Sequence, residues 1–239
     1  LHAGRDESGQ FKATGQWQKP GKGKTPEAII YIEVDHHSDE QLMTDLAQEI
    51  EDVLSEVQRC VRDFPEMLGK AKSTAQELRD ACTVNDKEAC TEAAEFVDWM
   101  ASNHFTFLAY DEFTVSDAKS GKIVDRDPDH DLGIFRNIDT TRSRVQLKEL
   151  EPEIREFITG PSLINFMKSG NRSRIHRPAY PDYVVVKRFD KHGNVVGGMR
   201  FMGLFTSIVY IETPNNIPII RRKLTAIREK SGFERSSHS

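Results

Sequence analysis

The chain has 239 residues, 37% of them apolar and 30% charged, enough for one large core or two modest ones, and two is the expected number at this length. Its formal net charge of -5 argues against a general nucleic-acid binder, which needs an overall basic surface. Three cysteines, Cys60, Cys82 and Cys90, form no CxxC pair, so neither a zinc site nor a disulfide framework is signalled and a reducing, cytoplasmic compartment fits.

In chain order, EAIIYIEVD (27–35) has the β-branched and aromatic density of a strand, and LHAGRD at the start is its expected antiparallel partner. Between them Phe11 to Pro26, rich in Gly, Lys, Gln and Pro, reads as a long mobile hairpin loop. Ser38 is the predicted N-cap of a helix, with Gln41 completing a capping box. Leu42, Leu46, Ile50, Val53, Val57, Val61 and Phe64 follow at spacings of three and four, an apolar stripe that must lie against something. Arg59 and Arg62 suit the negative end of that helix, and Pro65 is expected to stop or kink it. Helical pattern resumes from Ala71 to Ala81 and after Asn85, with Ala89, Ala93, Phe96, Val97 and Met100 on one face.

From Phe105 the period falls towards two: FTFLAYDEFTV is a strand, SDAKSG a turn, and a polar acidic loop precedes LGIF. Leu147 to Thr159 is helical by pattern and SLINFM is a strand. VVVKRFD and VVGGMRFMGLFTSIVYI form the arms of a hairpin about DKHGN, and the second arm, apolar on both faces, belongs in the centre of a sheet. A last helix carries Pro218 in its first turn, Ile220, Leu224 and Ile227 on its apolar face, and Gly232 as its C-terminal cap. No apolar stretch approaches the roughly 20 residues of a spanning helix, so no membrane partner is expected. Leu1 to Gln10 lacks the order of a signal peptide, and the absence of an initiator Met suggests a piece of a longer chain.

Motifs for chemistry are weak. PGKGKT (20–25) imitates a phosphate-binding loop, but Gln18 stands where that motif needs its first glycine and Pro26 follows where a helix should begin. Asp125, Asp127, Asp129 and Asp131 alternate as in a calcium loop, yet His130 takes the glycine position and Arg136 that of the bidentate glutamate. Asp35, His36 and His37 read as a surface turn, and Ser207, Cys82 and Cys90 have no nucleophile elbow or base beside them. No GxGxxG follows a strand, so catalytic, cofactor-binding and metal residues are all expected to be absent.

What stands out is NRSRIHRPAYPDYVVVKRFD (171–190). If Arg172 to His176 is extended, Arg172, Arg174 and His176 share one face, and Pro178 keeps Arg177 extended. That row suits either a carboxylate or phosphate ligand or the acidic groups of a neighbouring domain, the second being favoured because charge runs are commonly paired or solvated. Tyr180, Asp182, Lys187 and Arg188 complete the candidate surface.

The same block, SRIHRPAYPDYVVVKRFDKHGNVVGGMRFMGLFTS, together with YIEVD, VRDFPEM, WMASNHFTFLAYDEF, LGIF, IPIIRRK and SGF, resembles the large single-polypeptide bacterial NAD-specific glutamate dehydrogenases over nearly the whole chain. The resemblance implies an α+β segment of their N-terminal regulatory half: a partial ACT-like (ferredoxin-like) unit over 1–68, a helical connector over 69–102, a PAS-like antiparallel sheet domain with flanking helices over 103–214, and a C-terminal helix and tail over 215–239. It also implies a parent enzyme that deaminates L-glutamate to 2-oxoglutarate and ammonium with NAD, while this segment holds no cofactor and no activity of its own. The expected partners are the other domains of the same polypeptide and further copies in a homo-oligomer. An amino-acid effector on the Arg172, Arg174, His176 row is the alternative reading, and no nucleic acid is expected.

Overall fold

In the computed structural model the described residues are 2–5, 11–15, 30–35, 38–81, 87–119, 121–136 and 144–231. They fall in two compact units, Leu1–Ala47 and Gln48–Ser239. In the first, β1 (His2–Arg5) pairs antiparallel with β2 (Phe11–Gly15), setting His2 opposite Gly15. The partner of β1 is thus the start of the expected loop, not the 27–35 run. The pairing nearest in sequence has the cheaper loop to close. Residues 30–35 form no strand and are exposed, Tyr31 by 82%; the rest of the expected loop and 27–29 lie outside the described residues.

Helix α1 runs from Glu40 to Ala81. Its cap is Asp39, one residue beyond the expected Ser38: Asp39 Oδ1 accepts from the backbone N–H of Gln41 at 3.0 Å and of Leu42 at 3.2 Å, satisfying donors the helix cannot. Pro65 does not end the helix. The carbonyl deprived of a partner belongs to Val61, whose residue is 69% exposed, so water can replace the missing N–H. The buried face is also rotated from the expected stripe. Cys60, Asp63, Met67, Ala71, Thr74, Ala75 and Leu78 are covered, whereas Val57, Val61 and Phe64 are exposed.

The second unit is built on one antiparallel sheet in the order β6-β4-β3-β9-β8-β7, with β5 paired to β3. The strands are β3 (Phe105–Ala118), β4 (Gly121–Arg126), β5 (Leu132–Gly133), β6 (Arg144–Gln146), β7 (Ile164–Lys168), β8 (Asp182–Phe189) and β9 (Val195–Phe205). As its two apolar faces predict, β9 is central, between β3 and β8. Strand β4 falls where an acidic loop was expected, because only Ile123 and Val124 mark it, its other residues being exposed or half-buried between β6 and β3. The Leu147 to Thr159 segment divides into a 3-10 turn at Leu147–Glu149 and α3 (Pro152–Thr159).

The alternation of β8 and β9 separates two cores. Val184, Val186, Met199 and Phe201 pack with Phe105, Phe107 and Tyr110 against the second half of α1 and against α2 (Lys87–Trp99), which supplies Ala93, Phe96 and Val97. Met202 and Leu204 join Cys60, Leu108, Ala109, Phe135 and Ile175 in a smaller cluster. A bulge in β3 at Leu108 links them to the loops. Leu108 O accepts from Cys60 Sγ at 3.1 Å and from Ile134 N at 3.0 Å, and burial pushes the Cys60 thiol up to about 11, so it packs rather than reacts. Helix α4 (Ile220–Ser231) closes the described chain, with Ile220 and Ile227 of its expected apolar face exposed; Gly232 lies beyond the described residues.

Candidate functional site

Residues 169–181 connect β7 to β8 as a folded loop, not an extended arm. Ser169 N donates to Pro181 O and Ser173 N to Ala179 O, while His176 takes φ +65° near the apex. The row therefore does not share one face, because the turn at the apex breaks the alternation that an extended segment would impose. Arg172 lies 5.4 Å from the Tyr180 ring centre, and Arg174 pairs with Glu56 of α1, inside the same compact unit. His176 is exposed, and Arg177 donates to Phe205 O at 2.7 Å, anchoring the loop to the end of β9. Asp182 pairs with Lys168 at 2.7 Å.

Lys187 and Arg188, adjacent in β8, point to opposite faces. Lys187 is buried and donates to Gly160 O at 2.8 Å, at the negative end of α3. Burial lowers its pKa to about 8. Arg188 binds Glu77 at 2.6 and 3.0 Å and Glu112 at 2.9 Å. Burial acts to raise Glu112, but hydrogen bonds from Tyr110, Arg188 and Lys70 hold it at about 2. These two residues belong to the packing of the sheet.

Arg172 and Arg174 instead meet two arginines that the sequence pattern assigns to other places, the end of a helix and an acidic loop. Arg59 of α1 and Arg136 of the turn after β5 join them around an open pocket of about 410 Å³, with Glu56, Asn171 and Tyr183 also on its wall. Arg136 Nε donates to Asp63 Oδ2 at 2.7 Å, and the same oxygen accepts from Gly133 N at 2.9 Å. Burial raises the Asp63 pKa, yet the hydrogen bonds from Arg62, Arg136 and Gly133 N outweigh it and hold the carboxyl at about 2. A charge at the phase of Cys60 and Met67 on α1 was the available signal, hidden because the stripe was read through Phe64.

Behind the pocket wall lies a buried ionic cluster. Asp111 is 1% exposed and accepts from Arg200 Nε at 3.0 Å; the Arg200 guanidinium lies 4.9 Å from the Phe135 ring centre and 5.4 Å from that of Tyr183. Arg126 reaches Asp111 at 3.9 Å and Asp131 at 3.2 Å. The aspartates that resembled a calcium loop are thus divided: Asp131 turns inward to Arg126, while Asp127 accepts from the Asp129 backbone N–H at 3.1 Å. Among the described residues no group of three or more His, Cys, Asp or Glu could hold a metal ion. Asp35 is exposed; His36, His37, Cys82 and PGKGKT lie outside the described residues.

Burial pushes Asp131 up to about 6, Arg126 opposing it only in part. Its folded-state pKa exceeds the ordinary 3.8, so its contribution to stability is complete below about 4 and is lost as pH rises through 6. The loss is on the order of 3 kcal/mol. Asp131→Asn, which keeps an acceptor for Arg126, is expected to be more stable than the parent chain at pH 8. The gap should close towards pH 4 in urea titrations.

Residues 1–50 match the glutamate dehydrogenase ACT1 domain, a stretch that takes in the first compact unit. The whole chain is 36% identical over 241 aligned positions to the NAD-specific glutamate dehydrogenase of Halomonas elongata, and 36% identical over 238 to that of Pseudomonas aeruginosa. It spans 15% of the length of each. No helix of the described residues is long and apolar enough to cross a membrane. From end to end this α+β chain is thus similar to a segment of the NAD-specific glutamate dehydrogenases, and its first 50 residues match the glutamate dehydrogenase ACT1 domain.

Proposed function

We propose that the chain is a regulatory and assembly segment of a large NAD-dependent glutamate dehydrogenase, and that the oxidation of L-glutamate to 2-oxoglutarate and ammonium occurs elsewhere on the parent polypeptide. The observation that carries this reading is the end-to-end match to enzymes of whose length it spans 15%, with an ACT1 domain match over residues 1–50. The sequence adds no dinucleotide fingerprint. A PAS-like sheet over 103–214 is part of the proposal, supported by a path in which β3, the first strand of the sheet in chain order, lies beside β9, the last. NAD serves the parent, and the partners are its remaining domains and further copies in a cytoplasmic homo-oligomer.

The test has two arms. The purified chain, given L-glutamate and NAD, should produce no NADH above a mock preparation. Deleting the segment from the parent should leave glutamate oxidation measurable but change its sedimentation or its response to effectors. Turnover by the chain alone, or a deletion that alters neither property, refutes the proposal.

Within the chain Arg174 already pairs with Glu56 of the same unit, which favours a local role for it over pairing with a neighbouring domain. Arg174→Glu should therefore act locally. The exposed pair is worth no more than about 1 kcal/mol, so thermal unfolding of the chain is expected to shift by only a few degrees.

A further inference from the structure

We infer that the pocket beside the middle of α1 binds a small dianion through Arg59 and Arg172. This deepens the regulatory reading by naming a ligand class, and it rests on that reading for what occupancy would signal.

The charges around the pocket do not cancel. Of its four guanidinium groups, Arg136 is bonded to Asp63, and Arg174 is bonded to Glu56 with Asp52 and Glu49 also near it. Among the described residues neither Arg59 nor Arg172 has a carboxylate partner. Arg59 Nε is buried and makes no hydrogen bond, so a donor taken out of water has been left without an acceptor. The Arg172 guanidinium carbon lies 5.4 Å from the centre of the Tyr180 ring, and its N–H groups, with no carboxylate partner among the described residues, can supply the bidentate geometry that carboxylates and phosphates accept. Two uncompensated cations call for two negative charges on one ligand.

Size and surroundings narrow the class. A pocket of about 410 Å³ is in the range of small-molecule sites, and the Asn171 side chain adds a neutral donor on its wall. A polyanion is disfavoured because Glu49, Asp52 and Glu56 of α1 stand beside Arg174 and would repel a chain of phosphates running past it. The compact dianions that satisfy the site are a phosphate group or a short dicarboxylate.

Calorimetric titration of the chain with inorganic phosphate and, separately, with succinate tests this. At least one is expected to bind at one site per chain, with Kd raised tenfold or more by Arg172→Gln and by Arg59→Gln, but unchanged by Arg79→Gln, which lies outside the pocket. Binding of phosphate alone assigns the site to phosphate-bearing ligands, and binding of succinate alone to dicarboxylates. Arg172 is on an exposed loop, so its variant remains informative if Arg59→Gln does not fold. Absence of heat with both anions at millimolar concentration overturns the inference. So does affinity that survives Arg172→Gln, or binding of a single-stranded oligonucleotide where neither small dianion binds. NAD-dependent turnover by the chain would defeat the regulatory reading instead, in a separate assay.

Discussion

Arg200→Met will destabilise the chain by about 3–5 kcal/mol, the cost of leaving one member of a buried ion pair without its partner. Asp111, fully buried in β3, receives two hydrogen bonds from the Arg200 guanidinium, and the next cation, Arg126, is 3.9 Å away and engaged with Asp131. Methionine matches the length of the arginine stem and can fill the space against Phe135 and Tyr183, so the loss isolates charge from volume. The double variant Arg200→Met/Asp111→Leu removes both charges and should recover most of the stability, because an apolar replacement of a buried pair is often neutral or better. Urea denaturation at pH 7 measures both. A single variant within about 1 kcal/mol of the parent would mean that water reaches Asp111 and that the cluster is not sealed.

Gly133→Ala should rank next, at about 2–4 kcal/mol, through strain and close contact together. Gly133 has φ +64°, and a Cβ there would lie 2.1 Å from Leu108 O and 2.9 Å from its carbonyl carbon. Relief would have to move β5 from the bulge of β3, and with it the N–H that Asp63 accepts at 2.9 Å. Gly193, in the turn before β9, is the internal control: its φ is +81°, but nothing lies within 4 Å of an added Cβ. Gly193→Ala should cost only the conformational part, about 1 kcal/mol. Equal losses at the two positions would show that the close approach at Leu108 is relaxed without penalty.

Local pattern was enough to read most of the second unit. The β9 run is apolar on both faces and so has to lie between other strands, and it does so as far as Phe205, beyond which the expected arm gives way to a 3-10 turn at Ser207–Tyr210; α2 carries its apolar residues at helical spacing and stands where the pattern puts it. The family resemblance was legible in the block from Ser173 to Ser207 because so long and irregular a run is rarely matched by chance. It said nothing about which cations would remain unpaired.

By itself, then, the sequence determined the class of fold, the central strand and the family resemblance, all properties of periodicity or of residue order. Tertiary structure alone decided three others. It set the phase of the buried face on α1, because the sheet and loops covering Cys60, Asp63 and Met67 come from residues far along the chain. It paired β1 with Phe11–Gly15, a run whose composition reads as loop, and not with the 27–35 run of stronger strand character. And it divided the basic stretch, sending Lys187 and Arg188 to opposite faces of the sheet and folding Arg172 and Arg174 back beside Arg59 and Arg136. Spacing along one segment cannot reveal a charge balance to which α1 and the turn after β5 contribute half the cations, since those contacts exist only once the loop has closed on them.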